Sequence, residues 1–98
     1  NEVLWDNSAN KFFDTLAASK PVIVNYEGWQ AALIRERNIG YVLPTELSES
    51  SILDFVRYIN DSNLLKQQGA NALKVAEEYF SLEKAVNAYL NIFTKTIL

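Results

Sequence analysis

The apolar positions of this chain change period near residue 44. Before it, short apolar runs alternate with polar breaks. Residues 8–19 carry Phe12, Phe13, Leu16 and Ala17 on one predicted helical face, and Lys20-Pro21 stops that helix. The β-branched run that follows, over 22–26, has the pattern of a strand covered on both faces in a parallel sheet. Residues 28–37 predict a second helix, with Trp29, Leu33 and Ile34 inward. Gly40 then introduces Tyr41-Val42-Leu43, a second short strand that Pro44 ends. Strand, helix and strand at this spacing predict a βαβ unit with a right-handed crossover.

Beyond residue 44 the pattern is helical. Residues 48–60 carry Ile52, Val56 and Ile59 at helical spacing behind a Ser-rich cap. Asp61 or Ser62 is placed to cap a further helix that buries Leu65, Ala72, Ala76 and Tyr79. Gly69 inside it lowers helix propensity by about 1 kcal/mol and favours close helix packing. Ser81 is read as the cap of a last helix, with Glu83 in its first turn and an apolar stripe of Leu82, Val86, Tyr89, Leu90, Phe93 and Ile97. Two strands and five helices do not complete a doubly wound sheet, so further strands are expected before residue 1. The leading Asn and the absence of Met point the same way, to a C-terminal piece of a larger protein.

Composition narrows the chemistry. Residues 1–98 suffice for one domain with a modest core, and 49% apolar against 21% charged residues is an ordinary globular balance. A net charge of −3 argues against a nucleic-acid partner, which calls for a basic stripe. No apolar window is long enough to cross a membrane, and no signal-peptide pattern opens the chain. With neither Cys nor His, the chain has no disulfides or thiolate, and zinc sites and His-based acid/base catalysis fall outside its repertoire.

The densest polar cluster lies in 5–26. A loop rich in Asn and Ser opens the first helix, and Asp6 and Asp14 bracket it with seven residues between them. The first amides of a helix lack intrahelical acceptors and point outward, so such a start suits an anion. Carboxylates beside it suit sugar hydroxyls better than phosphate. Each residue also has a plainer role. Asp14 and Lys11 can form a surface i,i+3 pair, Asp6 can shape a turn, Ser8 or Asn10 can be an ordinary N-cap, and Gly28 can serve turn geometry before a helix. Lys11 in a first turn opposes the helix dipole, which makes sense beside a bound anion or against Asp14.

The spacing Asp6, seven residues, Asp14, then TLAASKPVI resembles the donor-nucleotide half of retaining glycosyltransferases of the GT-B fold. More narrowly, Ser8 to Asp14 and Tyr26-Glu27-Gly28-Trp29-Gln30 resemble bacterial enzymes that build surface polysaccharides from nucleotide-activated amino sugars. Both acids are Asp where most of the larger GT-B family has Glu, and Ser19 replaces the usual Gly. The resemblance implies an α/β fold, part of a Rossmann-like GT-B C-terminal domain with short parallel strands and a helical C-terminal half. It implies transfer of a sugar from a nucleoside diphosphate, in the uridine series, to a saccharide or lipid-linked acceptor. Asp6 would contact the transferred sugar. Asp14 would hold the ribose, and Ser8, Ala9, Asn10 and Lys11 the diphosphate. No metal or other cofactor is implied. Partners would be the donor, the acceptor and a missing N-terminal domain of the same chain, with the last helix as an interdomain or homodimer surface. The expected location is cytoplasmic, at the inner face of a bacterial membrane, and the 98 residues alone are expected to be inactive. The alternative is a small, non-catalytic α/β binding or interaction module.

Overall fold

The structure, a computed structural model, describes residues 9–97, with side chains described for 11–92. Its order is α1 (Ala9–Ala17), β1 (Val22–Val24), α2 (Trp29–Arg37), β2 (Gly40–Val42), α3 (Glu49–Ile59) and α4 (Ser62–Ile97). The two strands pair in parallel, with Val22 opposite Gly40, Ile23 opposite Tyr41 and Val24 opposite Val42. The α/β class and the strand–helix–strand unit expected from the sequence are therefore present. Leu43 lies past β2, yet its amide still donates to the Val24 carbonyl at 2.7 Å.

Chain reversals follow local chemistry. α1 ends where Ser19 turns to φ 60, its amide donating to Leu16 O at 2.9 Å. That left-handed conformation is one that Gly usually supplies at a helix end. Asn38 does the same for α2 at φ 53, and its amide reaches the Ile34 carbonyl. Ser48 caps α3 with its side chain accepting from the Ser51 amide at 3.2 Å, while Ser51 Oγ accepts from the Ser48 amide at 2.7 Å.

The core gathers Phe12, Phe13 and Leu16 of α1, Val24 of β1, Ala31 and Ile34 of α2, Ile39, and Ala72, Val75 and Ala76 of α4. Gly69 sets how closely α1 and α4 approach. A Cβ there would run into the Ser19 carbonyl, so the glycine admits the end of α1 against α4 as its position in the sequence suggested. A buried polar knot joins four elements. Gln68 of α4 donates to Asn38 Oδ1 at 2.8 Å and to Gly40 O at 2.9 Å, and accepts from Tyr58 OH at 2.5 Å.

Several expectations are corrected. β1 is shorter than 22–26 and is covered on one face, with Ile23 exposed, because among the described residues the sheet has only two strands. Ala17 is exposed at the end of α1. α2 turns Gln30, Ala31 and Ile34 inward, whereas Trp29 is about half exposed and Leu33 partly buried. On α3 the stripe Ile52, Val56 and Ile59 faces out. The helix docks instead through Phe55 and Tyr58, whose rings lie 5.6 and 4.5 Å from that of Tyr41. Ser81 caps nothing: α4 is one 36-residue helix, and the described residues form four helices rather than five. No Gly or Pro follows Gly69, and a Ser inside a helix of good formers lowers propensity too little to break it. The stripe beyond it is open, with Leu82, Val86, Tyr89 and Leu90 all exposed.

Two outcomes test this packing. Ala for Gly in a helix normally gains about 1 kcal/mol. Gly69→Ala instead loses about 1–3 kcal/mol, because the methyl meets backbone that cannot yield, and urea unfolding reads the sign. Tyr58→Phe strips Gln68 of a donor and costs about 1–3 kcal/mol. Burial, aided by Tyr41, holds the Tyr58 phenol above its ordinary pKa. A raised folded pKa means that its stabilisation is complete below the unfolded value of about 10 and fades as pH rises through the folded value. Urea unfolding at about pH 8 and pH 11 should therefore show a steeper alkaline loss for the wild type than for Tyr58→Phe.

Candidate functional site

Both α1 and α2 run opposite to the strands they adjoin, which places their first turns at the carboxyl end of β1. Ring contacts confirm that the starts are neighbours: Trp29, the first residue of α2, lies 5.2 Å from Phe12 and 6.1 Å from Phe13. Phe13 in turn stacks on Tyr79 of α4 at 3.8 Å, with the ring planes nearly parallel. An aromatic wedge of three elements thus fixes the angle between two helix starts. The carboxyl end of a parallel sheet is where open α/β folds collect ligands.

Of the residues singled out by the sequence, Asp6 and Ser8 lie outside the described residues. Ala9 and Asn10 are the first two described residues of α1, in the turn whose amides lack intrahelical acceptors in any helix start. Lys11 and Asp14 are exposed on the face of α1 turned away from Phe13 and Leu16. Asp14 is in none of the salt bridges Arg35–Glu27, Arg37–Glu78 and Arg57–Asp54. The structure thus brings Ala9, Asn10, Lys11 and Asp14 together on one helix, at the end of the molecule where α2 also begins.

The start of α2 is open. Gly28, its N-cap, has φ 142 and ψ −166, a region that essentially only glycine enters, and no side chain caps the helix. The first intrahelical bond is Ala32 N–H to Gly28 O at 3.1 Å, which leaves the earlier amides outside the helical ladder. Beside it Glu27 accepts two hydrogen bonds from Arg35, at 2.8 and 2.9 Å. The Arg35 guanidinium holds the exposed Glu27 carboxyl below the usual range, and Glu27 raises Arg35 in return. Locally the two charges cancel.

Gln30 was missed by the sequence reading. It is 4% exposed, yet its carboxamide has no hydrogen-bond partner among the described residues. It was quoted only as the end of the motif Tyr26-Glu27-Gly28-Trp29-Gln30 and given no role, since α2 lacks apolar periodicity to show that it turns inward. A separate groove of about 320 Å³ runs along α4, lined by Ala17, Leu73, Ala76, Glu77, Phe80, Ser81 and Lys84. It holds none of the residues above.

This constellation can donate hydrogen bonds to an anion and accept from hydroxyls. No cluster of metal-ligating side chains occurs among the described residues. No helix among them is long and apolar enough to cross a membrane.

Gly28→Ala has room for its methyl, with Gln30 Oε1 at an ordinary 3.7 Å, so only backbone strain opposes it. The substitution should cost about 1–3 kcal/mol, measured by urea unfolding. Comparisons of the chain with family models, curated proteins and solved structures found no match.

Proposed function

We propose that this chain is the donor-nucleotide-binding part of a retaining GT-B glycosyltransferase that serves cell-surface polysaccharide biosynthesis. The observation that carries the reading is the meeting of two helix starts at the carboxyl end of a parallel βαβ unit, that of α2 uncapped by any side chain, with Asp14 exposed on α1. Ser19 adds support, since its left-handed turn stands where the resembling family has Gly.

In this reading the first amides of α1, at Ala9, Asn10 and Lys11, hold the diphosphate and stabilise the charge that develops on it as the glycosidic bond breaks. That role is electrostatic and needs no covalent intermediate. Asp14 accepts from the ribose hydroxyls, Asp6 from hydroxyls of the transferred sugar, and Ser8 completes the helix start. The donor is a uridine diphosphate sugar, N-acetylated or deoxy, and the acceptor a saccharide or lipid-linked saccharide at the inner membrane face. No metal takes part. Acceptor recognition, the general base and a basic pair on the phosphate fall to an N-terminal domain of the same protein, so these 98 residues alone do not transfer sugar.

The exposed stripe on α4 favours a second reading, a non-catalytic interaction module that works through that helix. Titration calorimetry with UDP, GDP and pyrophosphate separates the two. The transferase reading expects UDP to bind and Asp14→Ala to weaken it about tenfold, roughly the worth of one charge-assisted hydrogen bond. Binding indifferent to Asp14, or none, supports the module. Sugar transfer by the 98 residues alone would contradict the assignment of the base elsewhere.

A further inference from the structure

The two edges of the sheet are finished differently. In a parallel pair, successive residues of a strand direct their N–H and C=O groups to opposite sides. Val22 and Val24 turn theirs toward β2: the Val22 amide donates to Ile39 O at 3.0 Å, and the Val24 carbonyl accepts from the Leu43 amide at 2.7 Å. Ile23, between them, directs its N–H and C=O to the far edge of β1, where no strand pairs among the described residues. On β2 the corresponding outward group is the Gly40 carbonyl, and Gln68 of α4 donates to it at 2.9 Å. The fold closes one edge with its own side chain and leaves the other as a template for an extended segment. Ile23 itself is 45% exposed, although Tyr41 opposite it is met by the rings of Phe55 and Tyr58.

The direction of the crossovers decides what can fill that edge. α1 and α2 cover one face of the sheet: Phe12, Phe13 and Leu16 share a core with Ala31, Ile34 and Val24, while Ile23 and Tyr41 alternate to the other face. Crossover connections between parallel strands are right-handed in nearly all folds. Over this face α2 carries the chain from β1 to β2. A helix on the same face that leads into β1 therefore comes from a strand on the other side of β1, at the open edge. The residues ahead of α1 have the composition of such a strand. Val3-Leu4-Trp5 is an apolar run with two strand-favouring members, and Asp6-Asn7-Ser8 is a polar connection of the short length usual between strand and helix.

We propose that the open edge of β1 is a strand-docking site and that residues 3–5 of this chain occupy it, parallel to β1, with Leu4 opposite Ile23. In that register the Ile23 amide donates to the Val3 carbonyl and the Trp5 amide to the Ile23 carbonyl. Val3 and Trp5 then share the core face with Val24. The strand ends at the carboxyl end of the sheet, so Asp6 leaves it beside the starts of α1 and α2. The docked strand stands independently of the donor reading, which gives Asp6 a role but no position.

The test reads the 98-residue protein by NMR. A nuclear Overhauser contact between the Ile23 amide proton and the Leu4 α proton is expected, because the parallel register brings the two together. Deuterium exchange at the Ile23 amide should be at least about tenfold slower than at an unprotected amide, and unchanged on dilution. Trp5→Pro removes a donor to β1 and should speed exchange at Ile23 by at least about tenfold. Leu4→Pro is the control: its N–H points away from β1 in this register, so protection of Ile23 should stay within about threefold of wild type. Absence of the contact, or free exchange at Ile23, overturns the proposal. Protection lost on dilution also overturns it and assigns the edge to a second copy. Protection that survives Trp5→Pro, or that Leu4→Pro removes as fully, overturns it too. The contact and the dilution series use unaltered protein, so they decide the matter even where Trp5→Pro fails to fold.

Discussion

Three hydrogen bonds on one carboxamide hold this fold together. Gln68 reaches the C-cap of α2 through Asn38, the first residue of β2 through the Gly40 carbonyl, and α3 through the Tyr58 hydroxyl. The Gln68 carboxamide and the Tyr58 hydroxyl are taken from water and would be expensive to bury alone, so the elements that satisfy them arrive together. Asn71, one turn further along α4, adds a bond to the Asn38 carbonyl at 3.0 Å. The left-handed Asn38 is thereby clamped from both side chain and backbone, which fixes where α2 ends and β2 begins. The strand pairing follows, because Ile39 and Gly40 enter the sheet directly from that turn.

Apolar packing then orients what the polar knot has located. α1 lies against α4 through Phe12, Phe13 and Leu16, with Gly69 at one end of the contact and the Phe13–Tyr79 stack at the other. Arg37 and Glu78 form a two-fold hydrogen-bonded pair at 3.0 Å that ties α2 to the same helix. It is solvent-exposed and contributes modestly. α4 thus serves as the common backing for both α1 and α2, and their first turns are set side by side as a result. The candidate site owes its geometry to contacts made well away from it.

Much of this was written in local chemistry. Lys20-Pro21, Pro44, the Ser cluster at 48–51 and the β-branched run at 22–24 place four boundaries, because each acts within a few residues. Phe12, Phe13, Leu16, Ala72 and Ala76 were recognisable as core from period alone. What failed were inferences about which apolar face finds a cover. Ile52, Val56 and Ile59 have the spacing of an inward stripe, yet the aromatic attraction of Phe55 and Tyr58 for Tyr41 turns α3 the other way. Ser81 carries the signature of a cap, but nothing nearby forces the helix to stop. For the site, Asp14 and the amides of α1 were visible as a motif. Gln30 stood in a quoted motif, but its burial was not legible, since α2 has no apolar period to show which face turns inward.

The continuity of α4 has a mechanical consequence. The helix is about 54 Å long, and the molecule spans 61 × 34 × 19 Å, so one element accounts for most of its longest dimension. Its buried and half-buried positions fall mainly between Leu64 and Phe80, and from Leu82 to Leu90 the large apolar side chains are exposed, as on a beam held at one end. Residues 85–94 contain no charged side chain to stabilise them by ion pairs along the surface. Their order is propagated from the clamped half, since extending an existing helix is far easier than nucleating one. A force on the outer tip would be delivered at the fulcrum, where Tyr79 lies flat on Phe13.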